Sequence, residues 1–282
     1  MTAVEPEVDP MAEEVLGDRS ARRPTRGRVA DQIVEDLRER ILSGALANGA
    51  RLPAERELAE SYGVSGATVR ESVRVLTAMG LISARHGSGS FVTAETGTMI
   101  ALSIASVVRL EDAGVADALG VLSALNRYAV QLAVQEASDA EIAAYREAAR
   151  QLARIDDVRG TAEALRVFLR WPSELSGNPL LAALCRFLVD VQVGLALETS
   201  GGELADWRRV VGVLQPERLA IVDAVERRSA AEAADLVTAY VVQAQRVILS
   251  TPRAREIAAS DPHYSQLLSD LMLHSRLSAA MR

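Results

Sequence analysis

Leu52-Pro53-Ala54-Glu55-Arg56-Glu57-Leu58-Ala59-Glu60-Ser61-Tyr62-Gly63-Val64-Ser65-Gly66-Ala67-Thr68-Val69-Arg70-Glu71-Ser72-Val73-Arg74-Val75-Leu76 is the stretch whose reading decides the fold. It opens with a short helical pattern over about 54–61, with Leu58 and Ala59 inward. Tyr62-Gly63-Val64 then reads as a tight turn. Glycine suits such a turn because it enters the left-handed region without a Cβ penalty. Ser65 stands where a helix N-cap belongs. Val69, Val73 and Leu76 recur at helical spacing and predict the buried stripe of a helix over about 65–79, closed by Gly80.

The pattern extends on both sides. Upstream, Val29, Ile33, Leu37 and Ile41 recur every four residues and predict a helix over about 29–43, ended by Gly44. Downstream, two short β-prone runs flank His86-Gly87-Ser88-Gly89, a hairpin signal. Three helices followed by a hairpin, with a tight turn between the second and third, is the outline of a winged helix-turn-helix. Beyond a linker at 95–109, helical patterns run over 115–137, 139–155, 161–175, 178–198, 203–228 and 230–250. Helices of this length make a bundle. The expected fold is therefore mainly α: an N-terminal winged helix-turn-helix with a small β-hairpin wing, then an all-α helical bundle. The expected divisions are a polar tail at 1–27, the winged helix at 28–94, the linker, the helical domain at 110–251 and a partly helical extension at 252–282.

Charge follows this organisation. The chain of 282 residues carries a net −7, which by itself argues against nucleic acid. The charge is unevenly placed, however. Residues 1–18 hold 6 acids and no base, residues 19–92 hold 12 Arg against 8 acids, and 93–282 hold 19 Arg against 24 acids. The basic excess sits on the helix-turn-helix segment, and domain charge is what a polyanion meets. A single cysteine, Cys185, excludes an internal disulfide framework and fits a reducing cytoplasm. No run approaches the roughly 18 uninterrupted apolar residues of a membrane span, so no membrane partner is expected. No paired acid and base, nucleophile triad, phosphate-cradling glycine loop or metal cluster stands out, and no enzyme or cofactor is expected.

With Val69, Val73 and Leu76 inward, the opposite face of the third helix shows Gly66, Ala67, Arg70 and Arg74, with Thr68 at the shoulder. A helix N-terminus brings unpaired N–H groups and a positive dipole end toward phosphate. Ser65 and Thr68 add hydroxyl donors there. Arg70, one turn in, can fork onto guanine O6 and N7. Arg56 opens the preceding helix, and Arg28 adjoins the first helix, where it can lie along phosphate.

Taken together, Leu52-Pro53-x-Glu55-Arg56-x-Leu58-Ala59, Gly63-Val64-Ser65, Thr68-Val69-Arg70-Glu71, Leu76, Gly80-Leu81-Ile82 and Gly87-x-Gly89-x-Phe91-Val92 closely resemble the N-terminal domain of the GntR family. The resemblance covers about 28–93. It implies that Arg56, Ser65, Thr68 and Arg70 contact an operator and that the His86–Gly87 tip enters the minor groove. It also implies a homodimer on a short palindrome in double-stranded DNA, and repression as the usual mode. One place departs: many members carry an arginine directly after the Val-Ser pair, where this chain has Gly66.

The helical region resembles the FadR-type subfamily, on Leu175-Ser176-Gly177-Asn178-Pro179-Leu180-Leu181 and on Ile221-Val222-Asp223-Ala224-Val225 followed by Ala231–Ala234. Many such domains hold a divalent metal through one Asp and three His. The corresponding places here are Leu165, Leu169, Arg218 and Tyr240, none a usual ligand. An Arg and a Glu of the domain's first helix correspond to Leu122 and Asn126. A metal-borne organic acid is therefore not expected. Two readings stay open. One is an apolar pocket with Asn126, Arg218 and Tyr240 as polar handles, suited to a small-molecule effector such as an acyl-CoA, with Arg218 facing its phosphate or carboxylate. The other is a closed core in a ligand-independent dimeric regulator.

Overall fold

A computed structural model describes residues 29–85, 89–93 and 96–280. The chain divides into two compact units, Met1–Met99 and Ile100–Arg282.

In the first unit, α1 (Val29–Leu42), α2 (Glu55–Tyr62) and α3 (Gly66–Ala78) precede β1 (Ile82–Arg85) and β2 (Gly89–Val92). The strands pair antiparallel with Ile82 opposite Val92 and Arg85 opposite Gly89. Ile33, Val34, Leu37 and Ile41 bury one face of α1, and Val69, Val73 and Leu76 bury one face of α3. Leu58, Leu81 and Ile82 complete that core. The turn between α2 and α3 is built on Gly63 at φ +66°, and the Val64 N–H donates to the Ala59 carbonyl at 2.9 Å. Ser72, which the apolar pattern passes over, is fully buried. Its hydroxyl bonds the Ala30 carbonyl at 3.2 Å and ties α3 to α1. Tyr62 donates to the Asp36 carboxylate, a second tie across the unit. Burial, and then Asp36, push this phenol well above its ordinary range.

The second unit is helical: α4 (Thr96–Leu110), α5 (Val115–Glu136), α6 (Asp139–Gln151), α7 (Val158–Glu174), α8 (Pro179–Thr199), α9 (Leu204–Gly212), α10 (Gln215–Glu226), α11 (Ala230–Leu249), α12 (Pro252–Ser260) and α13 (Ser265–Ala280). Four differences from the sequence expectation have physical causes. The expected linker at 95–109 is a helix, because Ala101, Ala105 and Val108 share one face and are buried. Gly160, expected to be a break, lies in the first turn of α7, because Asp157 caps the helix and accepts the Gly160 N–H at 2.6 Å. The single helix expected over 203–228 is two, since Pro216 near the start of α10 supplies no N–H to continue α9. Gln215 Nε2 and Arg208 Nε pin that corner to the Ala149 and Ile155 carbonyls at 2.6 and 2.8 Å. Finally, the extension that begins at 252 contributes Ala254, Tyr264, Leu268 and Met272 to the core.

α8 runs through the middle of this bundle, with Cys185, Phe187, Val189 and Val193 fully buried. By length and composition alone it is long and apolar enough to cross a membrane, while Arg186 and Asp190 keep it short of the roughly 18 uninterrupted apolar residues sought in the sequence. The polar side chains inside it serve the bundle: Asp190 takes Arg170, and also Arg166 at 3.3 Å.

Separate cores imply separate unfolding. Leu76 is fully buried in the first unit, while both tryptophans, Trp171 and Trp207, belong to the second. Leu76→Ala is expected to destabilise the first unit by about 2–5 kcal/mol. Circular dichroism will register this early loss of helix, while the tryptophan fluorescence melt stays in place. A joint shift of both signals would mean that the units unfold together.

Candidate functional site

The N-terminus of α3 is assembled by its own cap. Ser65 Oγ accepts the Thr68 N–H at 3.3 Å and shares a hydrogen bond with the Thr68 hydroxyl at 2.9 Å. This alters the expected donor set. The Thr68 N–H is already used, and of the two hydroxyl protons one is held within the pair and one remains to point outward. The Gly66 and Ala67 N–H groups open the helix without an intrahelical acceptor. Together with the dipole end they make a phosphate seat.

Arg70 and Arg74 project from the exposed face, as the buried stripe requires. Each has a carboxylate neighbour: Glu55 at 3.9 Å from Arg70, and Glu71 at 3.6 Å from Arg74. Arg56 on α2 pairs with Glu60 at 2.9 Å. All six side chains are well exposed, and such pairs contribute only about 0–1 kcal/mol. The guanidinium groups can therefore exchange carboxylate for phosphate or guanine at little cost. Nothing lies within 4 Å of the place a Cβ would take at Gly66, so the gap left by that glycine is open space over the reading face. Arg28, His86 and Gly87 lie outside the described residues.

In the helical unit, Leu165 of α7, Gln192 and Val193 of α8, Val211 of α9, Arg218 of α10 and Tyr240 of α11 meet around a cavity of about 20 Å³. That is room for about one water molecule. Of the residues expected at an effector pocket, Leu165, Arg218 and Tyr240 come together here. Leu122, Asn126 and Leu169 are buried but do not line this cavity. Gln192 is the polar lining residue that sequence reading missed, along with apolar ones such as Val193 and Val211; a lone amide in the mainly apolar run from Phe187 to Leu197 was its signal.

Arg218 is fully buried. Its Nε donates to the Tyr240 hydroxyl at 3.3 Å, and its two terminal nitrogens donate to Gln215 Oε1 at 3.1 Å and the Val211 carbonyl at 2.8 Å. These acceptors are all neutral, and among the described residues no carboxylate pairs with it. Gln192 Oε1, 4% exposed as a residue, is buried in the same wall without a hydrogen-bond partner. Tyr145 stacks between Phe168 and Trp171, at ring distances of 4.7 and 4.1 Å. Burial drives its phenol far up, Tyr240 adds to the rise, and Arg218 opposes it. The metal that the resemblance implies does not fit these residues. Leu165 and Leu169 offer no donor atom, and the permanent cation of Arg218 repels one. No group of three ligating side chains occurs among the described residues.

A winged helix with an arginine-bearing reading helix, joined to a helical unit whose small, mainly apolar cavity holds Gln192, Arg218 and Tyr240, defines a DNA-binding transcription regulator with a sensor domain. Residues 29–92 match the family described as bacterial regulatory proteins, gntR family, and residues 117–243 match the FCD domain. The HTH-type transcriptional repressor NanR of Enterobacter sp. is 28% identical over 231 residues, covering 78% of this chain and 85% of that protein. An uncharacterized HTH-type transcriptional regulator of Mycobacterium tuberculosis, Rv0494, is 40% identical over 86 residues, which is 30% of this chain and 36% of that one. The fold of Streptococcus agalactiae GntR superposes with a TM-score of 0.54 at 20% identity, over 77% of this chain and 99% of that chain. The chain belongs to the GntR family and carries an FCD effector-binding domain.

Arg70→Ala is expected to weaken binding to a preferred duplex by about 1–3 kcal/mol and to relax selection at one base. Gly66→Arg, entering open space, is expected to tighten binding. Duplex selection followed by fluorescence anisotropy measures both, and equal affinities for wild type and Arg70→Ala would remove Arg70 from the reading role.

Proposed function

We propose that the protein is a homodimeric repressor that leaves its operator when a small organic acid binds beside Arg218, without a metal. The observation that carries this reading is the buried Arg218, whose acceptors are all neutral and which has no carboxylate partner among the described residues. A buried cation left uncompensated costs several kcal/mol, and an anionic ligand removes that cost. The unpartnered Gln192 oxygen on the same wall asks for a donor, such as a hydroxyl of the same ligand. The cavity of about 20 Å³ favours a small acid, taken up as the walls part, over a long acyl chain. Repression is supported by the name of the NanR relatives. Such a regulator works in the cytoplasm, where the chromosome lies.

The dimer reading rests on α5. Val121 and Tyr128 are exposed there, in line with half-buried Leu125 and Leu132. Exposed Leu180, next to Leu181 of α8, extends the patch, and beneath it Ala129, Leu181 and Cys185 form a small cluster apart from the main core. An apolar stripe of this kind is the usual mark of a protein contact. Tyr128→Arg is expected to give a monomer in light scattering; an unchanged dimer would move the interface elsewhere.

The sensing reading is tested by fluorescence melting with EDTA present, against a panel of small carboxylic and hydroxy acids and of short and long acyl-CoAs. An acid at a hundred times its Kd is expected to raise the melting temperature by about 5–10 °C and to release the operator duplex. Arg218→Met is expected to fold and to lose both effects. A shift by long acyl-CoAs alone overturns the small-acid reading, and no shift by any ligand leaves the helical unit as a dimerisation module.

A further inference from the structure

We infer that Arg51 is a DNA phosphate contact on the outer face of the wing, a basic residue outside the helix-turn-helix pattern.

Arg51 sits on an extended segment that joins the wing as a third strand. Its backbone bridges Phe91 of β2. On either side the Val92 N–H donates to the Ala50 carbonyl at 2.8 Å, and the Leu52 N–H to the Ser90 carbonyl at 2.8 Å. Along such a strand the side chains alternate. Leu52 is buried in the core of this unit, so Arg51 points to the opposite, outer face, where it is exposed. The guanidinium does not trail into solvent but lies against the wing. A Cβ at Gly89 would stand 3.1 Å from Arg51 Nε and 3.4 Å from a terminal nitrogen. Gly89 also has φ +97°, a conformation that suits glycine, so the wing both turns here and leaves a flat seat for the guanidinium.

Charge separates Arg51 from its neighbours. Arg38, Arg40, Arg56, Arg70 and Arg74 of this unit each have a carboxylate within 4.0 Å. Arg51 has no ion pair among the described residues. Among the described side chains of this unit its positive charge is therefore not already answered by a carboxylate. A DNA backbone meets such a charge at full strength, whereas Arg56 and Arg70 first give up Glu60 and Glu55. Its backbone is held at Phe91 and its guanidinium reaches Gly89, where β2 begins opposite Arg85, so the charge sits on the outer face of the wing toward the turn end of the hairpin, placed to meet a sugar–phosphate strand that borders a groove. Contacts of this kind set register and orientation and carry no base code.

The test uses the full chain and two duplexes: one selected by the wild type from a random library, and one unrelated. Affinity is measured against salt by fluorescence anisotropy for wild type, Arg51→Gln and, as a control on α1, Arg38→Gln. Arg51→Gln is expected to weaken both duplexes alike, about fivefold at physiological salt, and to lower the slope of log affinity against log salt by about one. Arg38→Gln is expected to leave the slope unchanged. If Arg51→Gln lowers the melting temperature, Arg51→Lys decides, since it keeps a charge at the same place and is expected to keep the slope. An unchanged slope in Arg51→Gln, a slope lost equally in Arg51→Lys, or weakening of the selected duplex alone would overturn the assignment.

Discussion

The reading helix is useful only because one turn holds it. Gly63 in the left-handed region lets the chain reverse between α2 and α3, and the Val64 N–H closes the turn on the Ala59 carbonyl. Ser65 then starts α3 at once, as its own N-cap. Two part-buried ties hold the helices together: Ser72 to the Ala30 carbonyl, and Tyr62 to Asp36. With the angle of α3 settled, everything that faces DNA follows from helical geometry. Val69, Val73 and Leu76 go inward, so Gly66, Arg70 and Arg74 go outward.

The same unit manages its positive charge by pairing most of it. Exposed ion pairs are weak, which makes them suitable holders for groups that must later bind elsewhere. Arg56, Arg70 and Arg74 are kept extended and ordered by carboxylates that compete poorly with a phosphate backbone. Gly66 adds no side chain to this face and leaves open space beside these guanidinium groups.

The helical unit treats charge in the opposite way. Arg218 is sealed among apolar walls with neutral acceptors, namely the Tyr240 hydroxyl, Gln215 and the Val211 carbonyl. These satisfy its geometry but not its charge. The same places in relatives with a metal would carry a cation of another kind, so a fixed cation persists here in a different chemical form. Tyr145, stacked between Phe168 and Trp171, and the tie of Arg228 to the Val134 and Ala137 carbonyls keep the surrounding helices in place.

Apolar spacing over 29–92 was enough to place three helices, the left-handed turn and the hairpin, because each of those features is local and repeats within a few residues. The residue types at Leu165, Leu169, Arg218 and Tyr240 are likewise read directly from the chain, and none is a usual metal ligand. Local pattern misjudged 95–109, where an apolar face exists only once a core is there to receive it. It also misjudged Gly160, where the cap lies three residues upstream at Asp157. Which buried groups share a cavity, that Gln192 joins Arg218 there, and that Arg51 lies on Gly89 are facts of tertiary packing. They set side by side residues far apart in the chain, and no periodicity encodes such distances.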